Sequence, residues 1–453
     1  MTPWESRVHR YHELRIPGRF EPLALAGRLA SSGVFESHVV YERAGEFWFA
    51  GDRLVDVVLN RDAVRTTVDG RTTAQPWTGN SLAQVKQALA DAGVSRWRAF
   101  GWVGFELAYA IAGRPDLVAD QPLLHLAIPR TEIRLGADEV VVRTVDVPRL
   151  AEITDLLGTP ADPAEVEATP VEITADEGRI AYQHAVAAAV ADIRAGQLNK
   201  VILSRAVDVP FEVDLVSTYV LGRTRNTPAR SFLLDLGGWR AAGFSPETVT
   251  EVAADGEVST QPLAGTRALD GDETTNLDRR LDLLSDPKEV YEHAASVKLA
   301  CEELEDLCEP GSVTVKEFMA VKERGSVQHL GSRVNGRLAA GQDAFSALAA
   351  LFPAVTASGI PKLPAYDRIA RLEDRRRDLY AGAVLMTDCD GALDAALVLR
   401  AIYQKDGRTW LRAGAGIVAD STPEREYEET CEKLGSVAPH VVRAVRELVE
   451  ISA

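Results

Sequence analysis

The chain is short of cysteine, of long apolar runs and of basic residues, and each shortage excludes a class of protein. Its 453 residues include four cysteines, too few for a disulfide-stabilised scaffold and spaced for no metal or CxxC site. We therefore expect reduced thiols and a cytoplasmic protein. No stretch approaches the roughly 18 apolar residues of a membrane-spanning helix, and residues 1–20 lack the apolar run of a signal peptide. A membrane is not an expected partner.

Acidic residues outnumber basic residues by 67 to 50, which gives a formal net charge of −17. A surface of this sign repels polyanions, so nucleic acid is not an expected partner either. A small anionic ligand would need local cations or a metal ion to hold it. With 46% hydrophobic and 26% charged residues, the composition is that of a globular protein with a sizeable core. The HExxH, Walker A and GxSxG motifs are absent.

The order of the predicted elements indicates the α+β fold class. The first third of the chain reads as short strands separated by turn signals. A segment rich in proline, alanine and acidic residues, 159–177, predicts a connector. Beyond it, helices and strands come in clusters without strict alternation, which is typical of α+β proteins. We therefore divide the chain into a strand-rich N-terminal portion, 1–168, and a C-terminal portion, 169–453.

Two segments with helical spacing each carry a pair of glutamates three residues apart. At about 100° per residue, Glu289 and Glu292 share one helix face, as do Glu426, Glu429 and Lys433. One interpretation is a solvated face on which Glu429 pairs with Lys433, worth about 0.3–0.5 kcal/mol. The other is that the two helices converge on a hard cation such as Mg²⁺, which prefers oxygen ligands. Spacing alone favours the first.

Other candidate residues each have an ordinary structural interpretation when they are taken singly. Lys200 begins a predicted strand, where most lysines are solvated. Glu247 follows a proline in a predicted loop, and His329 has the setting of a partly buried structural histidine. The small-residue runs at 262–267 and 412–418 would let a ligand approach backbone N–H groups. None of these features decides a function by itself.

Ten segments, taken in order, resemble the chorismate-utilising enzyme family, and within it the salicylate synthases of siderophore pathways. They span residues 199–434, over half of the chain, and ten ordered motifs are far harder to reach by chance than one. The resemblance implies a large fold like that of anthranilate synthase component I, with two stacked antiparallel β-sheets flanked by helices. It also favours metal binding over surface ion pairs. The segments are KVILSR, GFSPE, PLAGTR, SDPKEVYEH, VQHLGS, FPAVTASGIPK, LYAGAV, LDAALVLRA, RAGAGIV and EREYEETCEKL.

Departures from other family members bear on the nucleophile and the product. Anthranilate-forming relatives generally lack a lysine at the position of Lys200, and aminodeoxychorismate-forming relatives carry a nucleophilic lysine where this chain has Ala264. Both differences imply water as the nucleophile. Thr356 resembles salicylate synthases more than isochorismate synthases, which stop at isochorismate and are the alternative. A catalytically silent chorismate-binding protein is a third interpretation. No glutamine amidotransferase segment is present, so we expect no such partner, and the resemblance suggests a monomer.

The resemblance also implies a role for each site residue. Lys200 would be the general base, with its pKa lowered from about 10.4 toward 7–8, and Glu247 the general acid, with its pKa raised toward 6–7. Mg²⁺ would bind Glu292 and Glu429, with Glu289 and Glu426 behind them or bridging through water, and would hold the ring carboxylate of chorismate. The expected substrate-binding residues are Gly265, Thr266, His329, Thr356, Tyr380, Arg400, Gly414 and Lys433.

Overall fold

The computed structural model describes residues 8–77, 79–158, 167–173 and 176–444. Of the predicted connector 159–177, residues 159–166 and 174–175 lie outside the described residues. None of the helices within the described ranges combines the length and the apolar character that crossing a lipid bilayer requires.

The described residues form strands and helices in both portions of the chain. The strands are β1 (His12–Pro17), β2 (His38–Arg43), β3 (Glu46–Leu59), β4 (Ala63–Val68), β5 (Arg71–Pro76), β6 (Arg98–Val103), β7 (Leu124–Leu135), β8 (Glu139–Thr144), β9 (Lys200–Asp208), β10 (Arg230–Leu236), β11 (Trp239–Ser245), β12 (Thr248–Val252), β13 (Glu257–Thr260), β14 (Leu263–Ala268), β15 (Thr314–Arg324), β16 (Val327–Arg337), β17 (Gly359–Ile360), β18 (Ala383–Asp388), β19 (Leu393–Leu397), β20 (Ala401–Lys405) and β21 (Arg408–Ile417). The α-helices are α1 (Pro22–Ser31), α2 (Ser81–Ala90), α3 (Leu107–Ile111), α4 (Arg149–Gly158), α5 (Asp176–Arg194), α6 (Leu215–Arg225), α7 (Glu273–Ser285), α8 (Pro287–Glu305), α9 (Ala344–Leu351), α10 (Lys362–Leu372) and α11 (Pro423–Leu434). Short 3₁₀ helices lie at Pro115–Leu117, Val355–Ala357 and Ala438–His440.

The strands pair into two antiparallel layers that share β3 and β7. The first layer runs β1-β8-β7-β3-β2-β10-β11-β20-β21-β9-β17. The second runs β5-β4-β3-β7-β6-β18-β19-β12-β13-β16, with β14 and β15 also on β16. A register shift between Arg53 and Val55 interrupts the β3–β7 ladder, and such a bulge bends the strand where it passes from one layer to the other. The expected α+β class and antiparallel sheets are confirmed.

The two layers pack face to face through buried contacts. The Trp102 indole Nε1 of β6 donates to the Leu236 carbonyl of β10 over 3.1 Å. The guanidinium of Arg230, on β10, donates to both carboxylate oxygens of Asp394, on β19, at 2.8 and 2.7 Å. Because β2 pairs with β10 and β6 pairs with β18, the predicted portions 1–168 and 169–453 contribute strands to the same layers.

The helix that carries the first glutamate pair begins one residue later than its sequence suggests. The pattern SDP predicts Ser285 as the N-cap of α8, but Ser285 is the last residue of α7 and its hydroxyl donates to the Leu281 carbonyl. Asp286 is the cap, and its carboxylate accepts from the Lys288 amide at 2.8 Å. A carboxylate at a helix N-terminus also complements the helix dipole. This start places Lys288 and Glu289 in the first turn of α8.

Candidate active site

One cavity brings the predicted site residues together, between helices α8 and α11 on one side and strands of the first and second layers on the other. Eleven of the fourteen predicted residues line it. Lys200 and Glu289 contact lining residues from behind, and Glu426 is held by Lys288 next to them. We call Lys288, Glu289, Glu292, Glu426, Glu429 and Lys433 the helical wall. We call Glu247, Thr266, His329, Tyr380, Arg400 and Gly414 the strand wall. The lining residues from the prediction are Glu247, Gly265, Thr266, Glu292, His329, Thr356, Tyr380, Arg400, Gly414, Glu429 and Lys433.

Lys200 is buried at the start of β9, with 2% of its surface exposed. Its Nζ lies 2.9 Å from Glu292 Oε1 and donates to Ser296 Oγ over 3.0 Å. The interpretation of Lys200 as a solvated strand end is therefore wrong. A lysine rarely lies this deep unless its ammonium is paired and hydrogen-bonded, and here one turn of α8 supplies both partners.

Glu247 is also buried, in the loop after β11, and its carboxyl group holds its proton at neutral pH. Burial raises its pKa to about 8, although the Thr356 hydroxyl, which donates to Oε1, and the nearby Lys200 ammonium oppose the rise. The direction is upward, as expected from the sequence. A protonated carboxyl facing a cavity can donate a proton to a leaving group.

The four predicted glutamates of α8 and α11 are buried, with exposed fractions from 0% for Glu426 to 7% for Glu292. The Glu429–Lys433 ion pair exists, at 2.7 Å, but it lies at the cavity and not on a solvated helix face. The surface interpretation of these helices is therefore wrong. Helical spacing predicts that the two carboxylates of each helix share one face. Whether that face meets solvent or the cavity depends on how α8 and α11 pack.

Three lysine ammonium groups and the guanidinium of Arg267, which lies 2.9 Å from Glu289 Oε1, compensate these four carboxylates. Lys288 Nζ lies 2.9 Å from Glu426 Oε1 and 3.5 Å from Glu289 Oε1, so it joins α8 to α11. Lys433 Nζ contacts Glu429 and donates to the Gly414 carbonyl over 3.0 Å. Burial lowers the pKa of Lys288, but all four glutamates raise it, and the net direction is upward. The Lys288 ammonium is thus within electrostatic reach of every carboxylate in the group.

The carboxylates also repel one another. Burial and the neighbouring Glu429 raise the pKa of Glu426 to about 7, and the same two causes raise the pKa of Glu289. Burial alone would raise the pKa of Glu429 too, but the ammonium groups of Lys433 and Lys288 outweigh it and lower that pKa to about 2. Mutual repulsion of this kind is relieved by added positive charge.

The helical wall fits a divalent cation that prefers oxygen ligands. In the described ranges no three His, Cys, Asp or Glu side chains are already arranged as a metal cluster, because lysines hold their oxygens. However, Glu426 Oε2 is buried and has no hydrogen-bond partner. A buried carboxylate oxygen without a partner is costly, and the carboxylates still raise the pKa of Glu289 and Glu426, although three lysines and Arg267 pair with the group. Oxygen donors with an unmet demand for positive charge suit Mg²⁺.

The strand wall has a different polar arrangement. His329 Nδ1 lies 3.2 Å from the Gly265 carbonyl and 3.1 Å from Thr266 Oγ1, and its Nε2 accepts from the Arg400 guanidinium. Burial and the charges of Arg400 and Lys433 hold the pKa of His329 well below its usual value, so the ring is neutral. Burial and Arg324 lower the pKa of Arg400 to about 9, which still leaves it charged at neutral pH. In the part of the chain that the structure describes, Arg400 donates to a carbonyl and to His329 and forms no ion pair.

Two glycines of β21 let the walls approach each other. A Cβ at Gly414 would lie 2.6 Å from the Leu203 carbonyl and 2.8 Å from the Tyr380 hydroxyl oxygen. A Cβ at Gly416 would lie 2.1 Å from Glu292 Oε1. The Leu203 carbonyl excludes a side chain at Gly414, and a side chain at Gly416 would displace the Glu292 carboxylate. The run RAGAGIV is therefore explained by close packing against the site as well as by access to backbone N–H groups.

The prediction missed Lys288, Arg412 and Gly416. All three lie inside the motifs quoted above. For Lys288 and Arg412, only the tertiary structure shows which residues they contact. The nearest acidic partner of Lys288, Glu426, lies on another helix. Arg412 lines the cavity and donates to Ser204 Oγ over 2.9 Å, a contact between neighbouring strands. The alternation of small residues along β21 could have indicated Gly416.

Comparison with known proteins finds relatives along nearly the whole chain. A family model described as chorismate binding enzyme matches residues 37–439. The salicylate synthase of Mycolicibacterium paratuberculosis is 45% identical over 431 residues, which cover 94% of this chain and 95% of that protein. The solved structure of anthranilate synthase component I from Streptococcus pneumoniae matches with a TM-score of 0.73 at 25% identity, covering 88% of this chain and 92% of that one. The menaquinone-specific isochorismate synthase of Escherichia coli matches in fold, with a TM-score of 0.72 at 22% identity over 95% of this chain and 94% of that one.

Proposed function

Because the chain belongs to the family of chorismate binding enzymes, we propose that it is a salicylate synthase. It converts chorismate to salicylate and pyruvate through isochorismate, with Mg²⁺ as cofactor. The observation that carries the proposal is the presence, at one cavity, of a buried amine and of a carboxyl group that is protonated at neutral pH. The near full-length similarity to a salicylate synthase supports salicylate as the product.

The first step exchanges one hydroxyl group for another. Water adds at C2 of the chorismate ring while the C4 hydroxyl leaves, and the ring double bonds shift between them. Lys200, which must release its proton beforehand, accepts a proton from the attacking water. Glu247 gives its proton to the departing hydroxyl, which leaves as water. A base and an acid are both required because water is a poor nucleophile and hydroxide a poor leaving group. The raised pKa of Glu247 supports its part.

The second step needs no further acid or base. The hydrogen on C2 of isochorismate moves to the enolpyruvyl methylene, the bond between the ring and the ether oxygen breaks, and pyruvate leaves as the ring becomes aromatic. Such a concerted transfer depends on a folded substrate pose. His329 and Thr356 line the cavity beside Glu247 and Arg400, where they can restrict that pose.

Two groups of residues hold the two carboxylates of the substrate. Glu292 and Glu429 would hold Mg²⁺, with Glu289 and Glu426 behind them, and the bound cation supplies Lewis-acid neutralisation of the ring carboxylate. Arg400, which forms no ion pair within the described residues, and Tyr380 receive the pyruvyl carboxylate. Backbone N–H groups around Gly265, Thr266 and Gly414 add hydrogen bonds, and Lys433 adds positive charge beside Glu429.

The cellular setting is part of the same proposal. We expect the enzyme to act as a monomer in the cytoplasm and to supply salicylate for siderophore assembly. All four cysteines are free thiols, which suits a reducing compartment.

Incubation of the purified protein with chorismate and MgCl₂ tests the proposal. Salicylate, detected by its fluorescence, and an equal amount of pyruvate are the expected products. Accumulation of isochorismate without pyruvate would instead identify an isochorismate synthase. A thermal shift with chorismate but no turnover would identify a silent binding protein. An EDTA-treated sample is the matched control, and full activity there would overturn the role of Mg²⁺.

A further inference from the structure

Lys288 occupies a position that the proposed mechanism does not use. It lies in the first turn of α8, directly before Glu289, and its Nζ reaches across to Glu426 on α11 at 2.9 Å. It also lies 3.5 Å from Glu289 Oε1. Its side chain is mostly buried, with 16% exposed. The only ammonium that joins the two glutamate-bearing helices within the described residues is therefore that of Lys288.

The carboxylates that Lys288 contacts belong to the proposed cation site, because Glu289 and Glu426 would stand behind the cation-holding Glu292 and Glu429. Glu426 Oε1 and Glu289 Oε1 each accept from this ammonium, while Glu426 Oε2 has no partner. A divalent cation carries twice the charge of an ammonium and draws the same carboxylates. The two positive charges repel each other strongly at contact distance in a buried site. Binding of the divalent cation to these carboxylates therefore weakens their contact with the Lys288 ammonium, and the Lys288 ammonium weakens binding of the cation.

A second, outer pocket gives Lys288 a place to move. This pocket lies behind the helical wall and is lined by Lys288 and Glu289 together with Arg267, Asp286, Arg425 and Glu432. It is distinct from the main cavity, whose lining includes Glu292 and Glu429 but not Lys288. A lysine has a flexible four-carbon stem, so its ammonium can withdraw into this pocket. There it would lie near Asp286 and Glu432, whose carboxylates already pair with Arg267 and Arg425, and near Arg279, which also lines the pocket.

We propose that Lys288 is a tethered counter-ion that competes with the divalent cation for the carboxylates of α8 and α11. In the cation-free enzyme it neutralises Glu426 and Glu289 and keeps the helices together. When the cation binds, the ammonium withdraws toward the outer pocket. The competition weakens cation binding, so the enzyme responds to the concentration of Mg²⁺ instead of holding it permanently. The inference rests on the proposed Mg²⁺ site and concerns a residue that the mechanism leaves without a role.

Calorimetric titration of MgCl₂ into cation-stripped protein, with no chorismate present, tests the proposal. Lys288→Met keeps an unbranched side chain, one atom shorter, and removes its charge. We expect this variant to bind Mg²⁺ roughly tenfold or more tightly than the unsubstituted protein, since a competing unit charge is removed from a buried site. The melting temperature of the variant without cation should be lower than that of the unsubstituted protein. The increase in melting temperature on adding MgCl₂ should be larger for the variant. Lys298→Met is the matched control, because Lys298 lies on the same helix with 78% of its side chain exposed.

Lys288→Gln provides a second variant in case Lys288→Met does not fold without cation. Its amide can still donate to Glu426 but carries no charge. Tighter Mg²⁺ binding in either folded variant, with no change in Lys298→Met, supports the proposal. Equal or weaker binding in a folded variant overturns it, as does the absence of binding heat in all the proteins. Salicylate formation is measured separately, so failure of this inference is distinguishable from failure of the proposed function.

Discussion

The two walls of the cavity balance their charges in different ways. On the helical wall, the carboxylates of Glu289, Glu426 and Glu429 are each paired with a lysine of the same wall, and Glu292 is paired with Lys200. On the strand wall, Arg400 contacts only a carbonyl and a neutral histidine among the described residues, and Glu247 is neutral. One wall is rich in carboxylates, whereas the other presents a positive charge that no acid cancels.

This difference matches the two carboxylates of chorismate to two kinds of partner. The glutamates of the helical wall repel an approaching carboxylate, so under the proposed function a cation would have to lie between them. The strand wall already offers a guanidinium, which can grip a carboxylate through two N–H groups. The walls should therefore respond differently to substitution: the helical wall through its cation requirement, the strand wall through substrate affinity.

The largest expected effect comes from Lys200→Ala, which removes the amine that touches the helical wall through Glu292. Conversion of chorismate should fall by about a thousandfold, the size of a lost general base. Conversion of supplied isochorismate to salicylate should persist, because the second step uses no base. Both rates are measured by salicylate fluorescence, with Lys298→Ala as control. Unchanged chorismate turnover would show that Lys200 is not the general base.

Glu292→Gln and Glu429→Gln test the helical wall itself. Each removes one negative charge from the group, so the Mg²⁺ concentration for half-maximal activity should rise about 10- to 100-fold. Activity should recover in part at high MgCl₂. Glu302→Gln is the control, since Glu302 lies on the same helix with 54% of its side chain exposed. If the two variants kept the original Mg²⁺ dependence, the helical wall would not be the cation site.

Arg400→Lys tests the strand wall and should have a smaller effect of a different kind. A lysine keeps the charge but loses the two-pronged grip. We expect the KM for chorismate to rise about tenfold, equivalent to about 1.4 kcal/mol of binding, with the Mg²⁺ requirement unchanged. Steady-state kinetics at several MgCl₂ concentrations separates a change in the KM for chorismate from a change in the Mg²⁺ requirement. A shift in the Mg²⁺ requirement would contradict the assignment of cation binding to the helical wall and of substrate-carboxylate binding to the strand wall.

The smallest effect concerns pH. The first step needs protonated Glu247, so its rate should fall as the pH rises through about 8. The Thr356 hydroxyl lowers that pKa by its hydrogen bond, so Thr356→Val should move the alkaline limb to higher pH. Thr356→Ser, which keeps a hydroxyl, is the control. A pH–rate profile with chorismate as substrate makes the measurement, and an unmoved or lowered limb would count against Glu247 as the acid.

Glu247 should also make folding depend on pH. Its pKa is higher in the folded protein than the ordinary value near 4.5, so the folded state binds more protons between these two values. Stability should therefore decline as the pH rises from about 4.5 toward 8, and the decline should be weaker in Glu247→Gln. Thermal unfolding at a series of pH values measures this difference.

Most of the site residues could be predicted from the sequence, but few of their ion pairs could. Ordered motifs were enough to predict the fold class and to collect residues that the structure brings to one cavity. Periodicity could not reveal that α8 and α11 face each other, and for that reason it favoured a solvated face for Glu429 and Lys433. Nor could it reveal that Lys288 joins the helices, because that contact spans 138 positions of the chain. Long-range packing decides both points.

The account rests most directly on a single divalent cation shared by the two acidic helices. Crystals grown with MnCl₂, with diffraction recorded at the manganese absorption edge, would locate that cation. We predict one anomalous peak within about 2.5 Å of carboxylate oxygens of Glu292 and Glu429, a distance suited to hard cations, and Lys288 withdrawn from Glu426. A peak elsewhere, or no peak with Lys288 still bridging the helices, would contradict the account.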